Sequence, residues 1–133
     1  MLKIVPGLLA LVLLTGCASP VAGQAQADPN VPNPFRAEFG ADLAAQVNHL
    51  CAREAGRPSA AACATWLEAS AALVGRMYAA DHESMRAFNQ RMIAVAAIYA
   101  QQKCPTPPVA PDCEDQVAEM GRVLREIEAR HVR

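Results

Sequence analysis

Four cysteines stand in two close pairs along this chain. Cys51 and Cys63 bound the segment CAREAGRPSAAAC, and Cys104 and Cys113 bound CPTPPVAPDC. A fifth, Cys17, stands apart near the start. Each pair encloses turn-forming residues between two stretches of helical pattern. A bridge within each pair would therefore staple the end of one helix to the start of the next. Four cysteines allow three connectivities, and the spacing favours neighbours. Closing loops of this size contributes about 2–3 kcal/mol each when the bridge is unstrained. Zinc is the competing use of clustered cysteines, but it needs C-x-x-C pairs or histidines at finger spacing. The sequence has neither, and His49 beside Cys51 is a single neighbour. Disulfides persist in oxidising compartments, so the two pairs also bear on where the chain works.

The first residues point to the same kind of compartment. Met1-Leu2-Lys3 is a short basic start, and Ile4 to Leu14 is an apolar run of 11 residues interrupted only by Pro6 and Gly7. As a helix this run reaches roughly 17 Å, too short for a bilayer core of about 30 Å. The pattern is that of a secretory leader. Its end, Leu14-Thr15-Gly16-Cys17, resembles the lipobox of bacterial lipoprotein signal peptides: leucine, two small residues, then cysteine. The resemblance covers residues 1–17 only. It implies removal of residues 1–16, a diacylglyceryl group on the Cys17 thiol, and a second acylation, of palmitate type, at the new N-terminus. One acyl chain holds a protein to a bilayer only marginally, at about 0.8 kcal/mol per buried methylene, whereas two or more hold it stably. Residue 18 is Ala, not the Asp that commonly marks retention in the inner membrane of two-membrane bacteria. The resemblance therefore implies an outer-membrane address facing the periplasm.

Residues 17–34 form the lipidated N-terminus and its linker. The stretch ASPVAGQAQADPNVPNP, 18–34, carries four prolines and almost no large apolar side chain. Fully extended at about 3.1 Å per residue, it reaches roughly 50 Å. Residues 35–133 are expected to form one small domain, large enough for a modest core.

That domain reads as all-α. Alanine supplies 28 of the 133 residues, β-branched residues are few, and strand-like alternation is missing. Asn33-Pro34 reads as an N-cap followed by proline at the first helical position. Phe35, Phe39, Leu43, Val47, Leu50 and Cys51 recur every three or four residues, which predicts a first helix ending near Gly56-Arg57-Pro58. Ser59 is the next candidate cap. One apolar face then keeps phase through Trp66, Ser70, Leu73, Met77, Phe88, Met92, Val95 and Tyr99. Asp81 falls in the middle of that face, where an unpaired acid would be costly to bury. A break near Ala79-Ala80, with Asp81 capping a new helix, is preferred over one long helix, although phase is kept across it. The last stripe is Cys113, Val117, Met120, Leu124 and Ile127. Glu114, Asp115 and Glu119 lie early on it, and Arg122, Arg125 and Arg130 late, an order that complements the helix dipole. The expected fold is a small disulfide-stapled bundle of three to four helices.

The residues with chemical potential do not assemble into a catalytic set. His82 to Arg86 reads H-E-x-x-R, and the zinc-protease motif needs a second His where Arg86 stands. The glycines make no phosphate loop, and none of Ser19, Ser59, Ser70 and Ser84 sits in G-x-S-x-G. Glu128 and His131 have the Glu-x-x-His spacing of di-metal bundles, which need two such pairs. With a single pair near the end of the chain, a solvated helix end is the expectation. No metal or cofactor is implied. Nucleic acid is disfavoured: without Lys3, 11 basic residues stand against 13 acidic ones, and Lys103 is the only lysine left. Met77, Met85, Met92 and Met120 read as core.

Two features remain as interaction candidates. One is the four-proline segment closed by Cys104 and Cys113, whose Thr106, Val109 and Asp112 are candidate partner-binding residues. The other is a groove along an alanine-rich seam. The leading expectation is a non-catalytic lipoprotein, held to the bilayer through Cys17 acyl groups, that docks or helps assemble another envelope protein. In broad plan it is similar to secretin pilotins, a likeness of architecture alone. An inhibitor, immunity or exclusion lipoprotein acting on a toxin or conjugation machine is a second expectation. A carrier of an apolar ligand, held among Leu73, Met77, Phe88 and Met92, is a third.

Overall fold

The computed structural model describes residues 33–132. The expected leader, the expected lipidation site Cys17 and most of the expected linker lie outside the described residues. Four helices account for most of the described chain: α1 (Pro34–Val47), α2 (Ala64–Ala80), α3 (His82–Gln101) and α4 (Asp112–His131). Short 3₁₀ turns at Leu50–Ala52 and Ala61–Cys63 join α1 to α2. No strand occurs among the described residues. α2 packs on α3, α3 on α4, α4 on α1 and α1 on α2, which closes a bundle.

Each helix begins for a local reason. The Asn33 side-chain oxygen accepts the backbone N–H groups of Phe35 and Arg36 at 3.0 and 3.2 Å, with Pro34 at the first helical position. Ser59 Oγ accepts the Ala62 N–H at 3.3 Å and starts the turn into α2. Asp81 separates α2 from α3, and its carboxylate accepts the Ser84 N–H at 3.1 Å. The break is therefore real, and phase is kept because only one residue interrupts the helices. Acidic residues fill the first turn of α4, and Arg130 and His131 its last.

The stripes close on one core. Trp66, Leu73, Met77, Phe88, Met92, Val95 and Tyr99 are buried together with Cys113, Val117, Met120, Leu124 and Ile127. Ser70, the buried polar member of the α2 stripe, donates to Gln46 Oε1 at 3.1 Å.

The first helix is shorter than its apolar spacing predicts. It stops at Val47, and Leu50 is 49% exposed. The cause is tertiary. Trp66 Nε1 donates to the Gln46 carbonyl at 3.1 Å, and His49 Nδ1 accepts the Cys51 N–H at 3.1 Å, starting the 3₁₀ turn that aims Cys51 at Cys63. That turn lies against α4. A Cβ on Gly121 would meet the Ala52 carbonyl oxygen at 3.1 Å, and Arg125 donates to the same oxygen at 2.7 Å.

The late charges of α4 bind across the bundle as well as complementing its dipole. Arg91 on α3 reaches Glu119 at 2.6 Å and Glu126 at 2.7 Å, and Arg122 adds a bond to Glu119 at 2.8 Å.

Candidate functional site

The bundle has two unlike ends. At one, the linker enters: Asn33 Nδ2 donates to the His131 carbonyl at 2.9 Å, so the start of α1 meets the end of α4 beside the α2–α3 junction. At the other lie both disulfides. Cys51–Cys63 has a Cα separation of 5.7 Å and Cys104–Cys113 one of 5.5 Å. Neighbour pairing, the connectivity that spacing favours, is the one present. A helix of 20 residues such as α3 puts about 30 Å between these ends.

The proline-rich loop is built from its termini inward. α3 ends in paired bonds, Cys104 N–H to the Tyr99 carbonyl at 3.1 Å and Lys103 N–H to the Ala100 carbonyl at 3.1 Å. This is the Schellman pattern, with Lys103 at φ 53 where glycine is usual. Thr106 N–H then closes a turn on the Lys103 carbonyl at 2.9 Å. On the return side, Cys113 N–H donates to the Ala110 carbonyl at 3.0 Å as α4 begins. All four bridge cysteines are buried.

Of the three candidate binding residues, Thr106 and Asp112 are exposed, as are Pro105, Pro107 and Pro108. Val109 is half-buried and packs on the core. It attaches the loop to the bundle instead of presenting a contact to solvent.

A second loop, residues 53–60, is tied to the first. Ala60 N–H donates to Glu114 Oε1 at 2.9 Å, and Arg57 donates to the carbonyls of Glu114 and Arg53 at 3.1 and 2.9 Å. The Tyr99 hydroxyl donates to the Ala60 carbonyl, and burial pushes that phenol above its ordinary pKa. The two loops thus share one rigid support. The links from Ala60 and Arg57 to Glu114 and from Tyr99 to Ala60 carry no sequence signal, because each joins residues more than 35 positions apart.

A shallow, open concavity of about 270 Å³ lies between α1 and α2, lined by Gln46, His49, Ala62, Thr65, Trp66 and Ala69. The His49 ring stacks on Trp66, centroids 6.0 Å apart and planes at 15°, and Trp66 itself is buried. On α3, Ala87, Gln90, Ile93, Ala94, Ala97 and Ile98 form an exposed strip without charge, with Ile93 60% and Ile98 37% accessible.

His82 opens α3 and packs edge-on against Tyr78 at 4.6 Å, and Arg86 is exposed. His131 is not the solvated helix end its position predicts. Its ring is half-buried against Phe35 and Phe88, with centroids at 5.2 and 6.1 Å. Among the described residues, no group of three or more His, Cys, Asp or Glu side chains is placed to hold a metal ion. No described helix is long and apolar enough to cross a membrane. Comparison with protein-family models, with curated proteins and with solved structures finds no match.

Proposed function

We propose that this chain is a non-catalytic, lipid-anchored envelope lipoprotein that docks another envelope protein through the disulfide end of its bundle. The observation that carries the reading is the separation of ends. The linker enters beside His131, and the Cys104–Cys113 loop lies at the far end of helices about 30 Å long. A domain tethered by its N-terminus would present that far end away from the bilayer. There the exposed Thr106, Asp112 and prolines stand on a support that has little freedom left to lose on docking. The anchor in this reading is Cys17, on the strength of Leu14-Thr15-Gly16-Cys17. An outer-membrane address facing the periplasm follows from Ala18 in a host with two membranes.

Labelling with a clickable fatty acid tests the anchor. Wild type is expected to be labelled and membrane-bound, and Cys17→Ala unlabelled. Equal labelling of the two, or wild type free in the periplasm, contradicts the anchor. Crosslinking in intact cells, followed by identification of the captured species, tests the docking. A Thr106→Arg, Asp112→Asn variant leaves Val109 in place and is expected to fold while losing the captured protein. Undiminished capture by the folded variant moves the interface to the uncharged strip of α3.

A further inference from the structure

We propose that His131 is an acid-sensitive clasp at the linker end of the bundle, whose protonation releases the first turn of α1 and adds its residues to the tether. The ring sits where three helices meet. Phe35 of α1 and Phe88 of α3 lie against it, at 5.2 and 6.1 Å between centroids. Its Nε2 atom is buried and has no hydrogen-bond partner. One turn before Phe88, the Ser84 hydroxyl is also buried, beside the Asp81 carboxylate. The backbone of His131 holds the chain as well, through the bond from Asn33 Nδ2 to its carbonyl. The residue that closes over Phe35 is thus also the one to which the N-cap of α1 is tied.

Neutral imidazole suits this place. An imidazolium would carry its charge out of water and against two phenyl rings, at a ring nitrogen that is buried and unpaired. Burial accordingly holds the His131 pKa below its ordinary 6.5, with Arg130 adding to the effect and Asp81 opposing it. Among the described residues, the charged and titratable side chains at this end include Arg36 on α1, Tyr78 on α2, Asp81, His82 and Glu83 around the start of α3, and Glu128 and Arg130 on α4. Arg130 disfavours a further cation. Arg130 lies over the Phe88 ring at 5.3 Å. The Asp81 carboxylate and the helix C-terminus favour it. Burial decides the balance.

The sign follows from linkage. A histidine whose folded pKa is depressed binds fewer protons in the folded state than in the unfolded one. Its contribution is therefore fully present well above pH 6.5 and is lost as pH falls below that value. To become hydrated, the charged ring must leave Phe35 and Phe88, and the first turn of α1 then loses its cover. The use of this release to lengthen a membrane tether rests on the anchored reading above. The clasp itself does not, and it is tested on the isolated full chain in detergent micelles.

Two measurements test it: NMR titration of the His131 ring, and hydrogen-exchange protection at Phe35, Arg36 and Ala37, whose N–H groups bond to Asn33. The ring is expected to titrate below 6.5. Protection at those amides should fall a few-fold between about pH 7.5 and pH 5, while protection at Cys63 and Cys113 holds. His131→Phe keeps an aromatic ring in the site and should abolish the change. Asp81→Asn keeps a capping side chain and should move the transition to lower pH. A His131 pKa at or above 6.5, or protection of α1 unchanged with pH, would overturn the proposal.

Discussion

Two glycines in helix interiors look alike in the sequence and behave oppositely in the bundle. A Cβ built on Gly75 meets nothing within 4 Å, so Gly75→Ala should simply gain helix propensity, about 0.5–1 kcal/mol. On Gly121 the same Cβ meets the Ala52 carbonyl oxygen at 3.1 Å, a backbone atom pinned by Arg125. Gly121→Ala should therefore lose about 1–2 kcal/mol through overpacking, despite the gain in propensity. In a domain of this size the two changes should move Tm by several degrees in opposite directions, about 4–8 °C per kcal/mol, which calorimetry reads directly. Single residues are where the sequence is least legible. His49 as a cap, Val109 as an attachment and His131 against Phe35 all depend on partners brought in by tertiary packing. No local pattern announces them. Cys51 and Cys63, by contrast, form the neighbour pair that their spacing favoured among three connectivities.

Helices are the scale at which the sequence reads best. The stripe from Trp66 to Tyr99 and the stripe from Cys113 to Ile127 are both buried, because a period of 3.6 selects one face and that face has to go inside. Asp81 was legible as a break because an acid on an apolar face needs a reason, and here it caps α3. The Ser84 side chain and then its backbone N–H hold the Asp81 carboxyl below its ordinary pKa. Asp81→Ala should destabilise the domain and loosen the α2–α3 junction first. The end of α1 was not legible, since the Gln46 carbonyl is taken by Trp66 from a helix not yet reached. Between helices, α3 and α4 are joined by Arg91. Burial pushes the Glu119 carboxyl up, but Arg91 and Arg122 outweigh it and hold the group below 4.5. The Arg91 bond likewise lowers Glu126. Both groups have depressed pKa values, so their contribution is present above about pH 4.5 and is lost as the solution is acidified further. The stability gap between wild type and Arg91→Ala, about 1 kcal/mol at neutral pH, should shrink progressively as pH falls below 4.5. Urea denaturation across pH measures it.

At the scale of the whole molecule, the fold is an all-helical bundle stapled twice at one end and entered by its linker at the other. A core with few aromatics leaves much to the bridges, so reduction of both should cost about 4–6 kcal/mol and loosen the Cys51–Cys63 and Cys104–Cys113 end before the linker end. The arrangement of ends is what the sequence could not display. Spacing gives the stapled loops, but their union through Ala60, Glu114 and Tyr99 needs the folded chain. The central claim is that the disulfide end meets a partner while the linker end faces the anchor. A photo-crosslinking amino acid placed at residue 106, and in a parallel strain at residue 82, tests this in intact cells. Both positions are exposed, one at each end of the bundle. The account predicts a discrete adduct with one envelope protein from residue 106 and none of that species from residue 82. The same adduct from both positions, or from residue 82 alone, would contradict it.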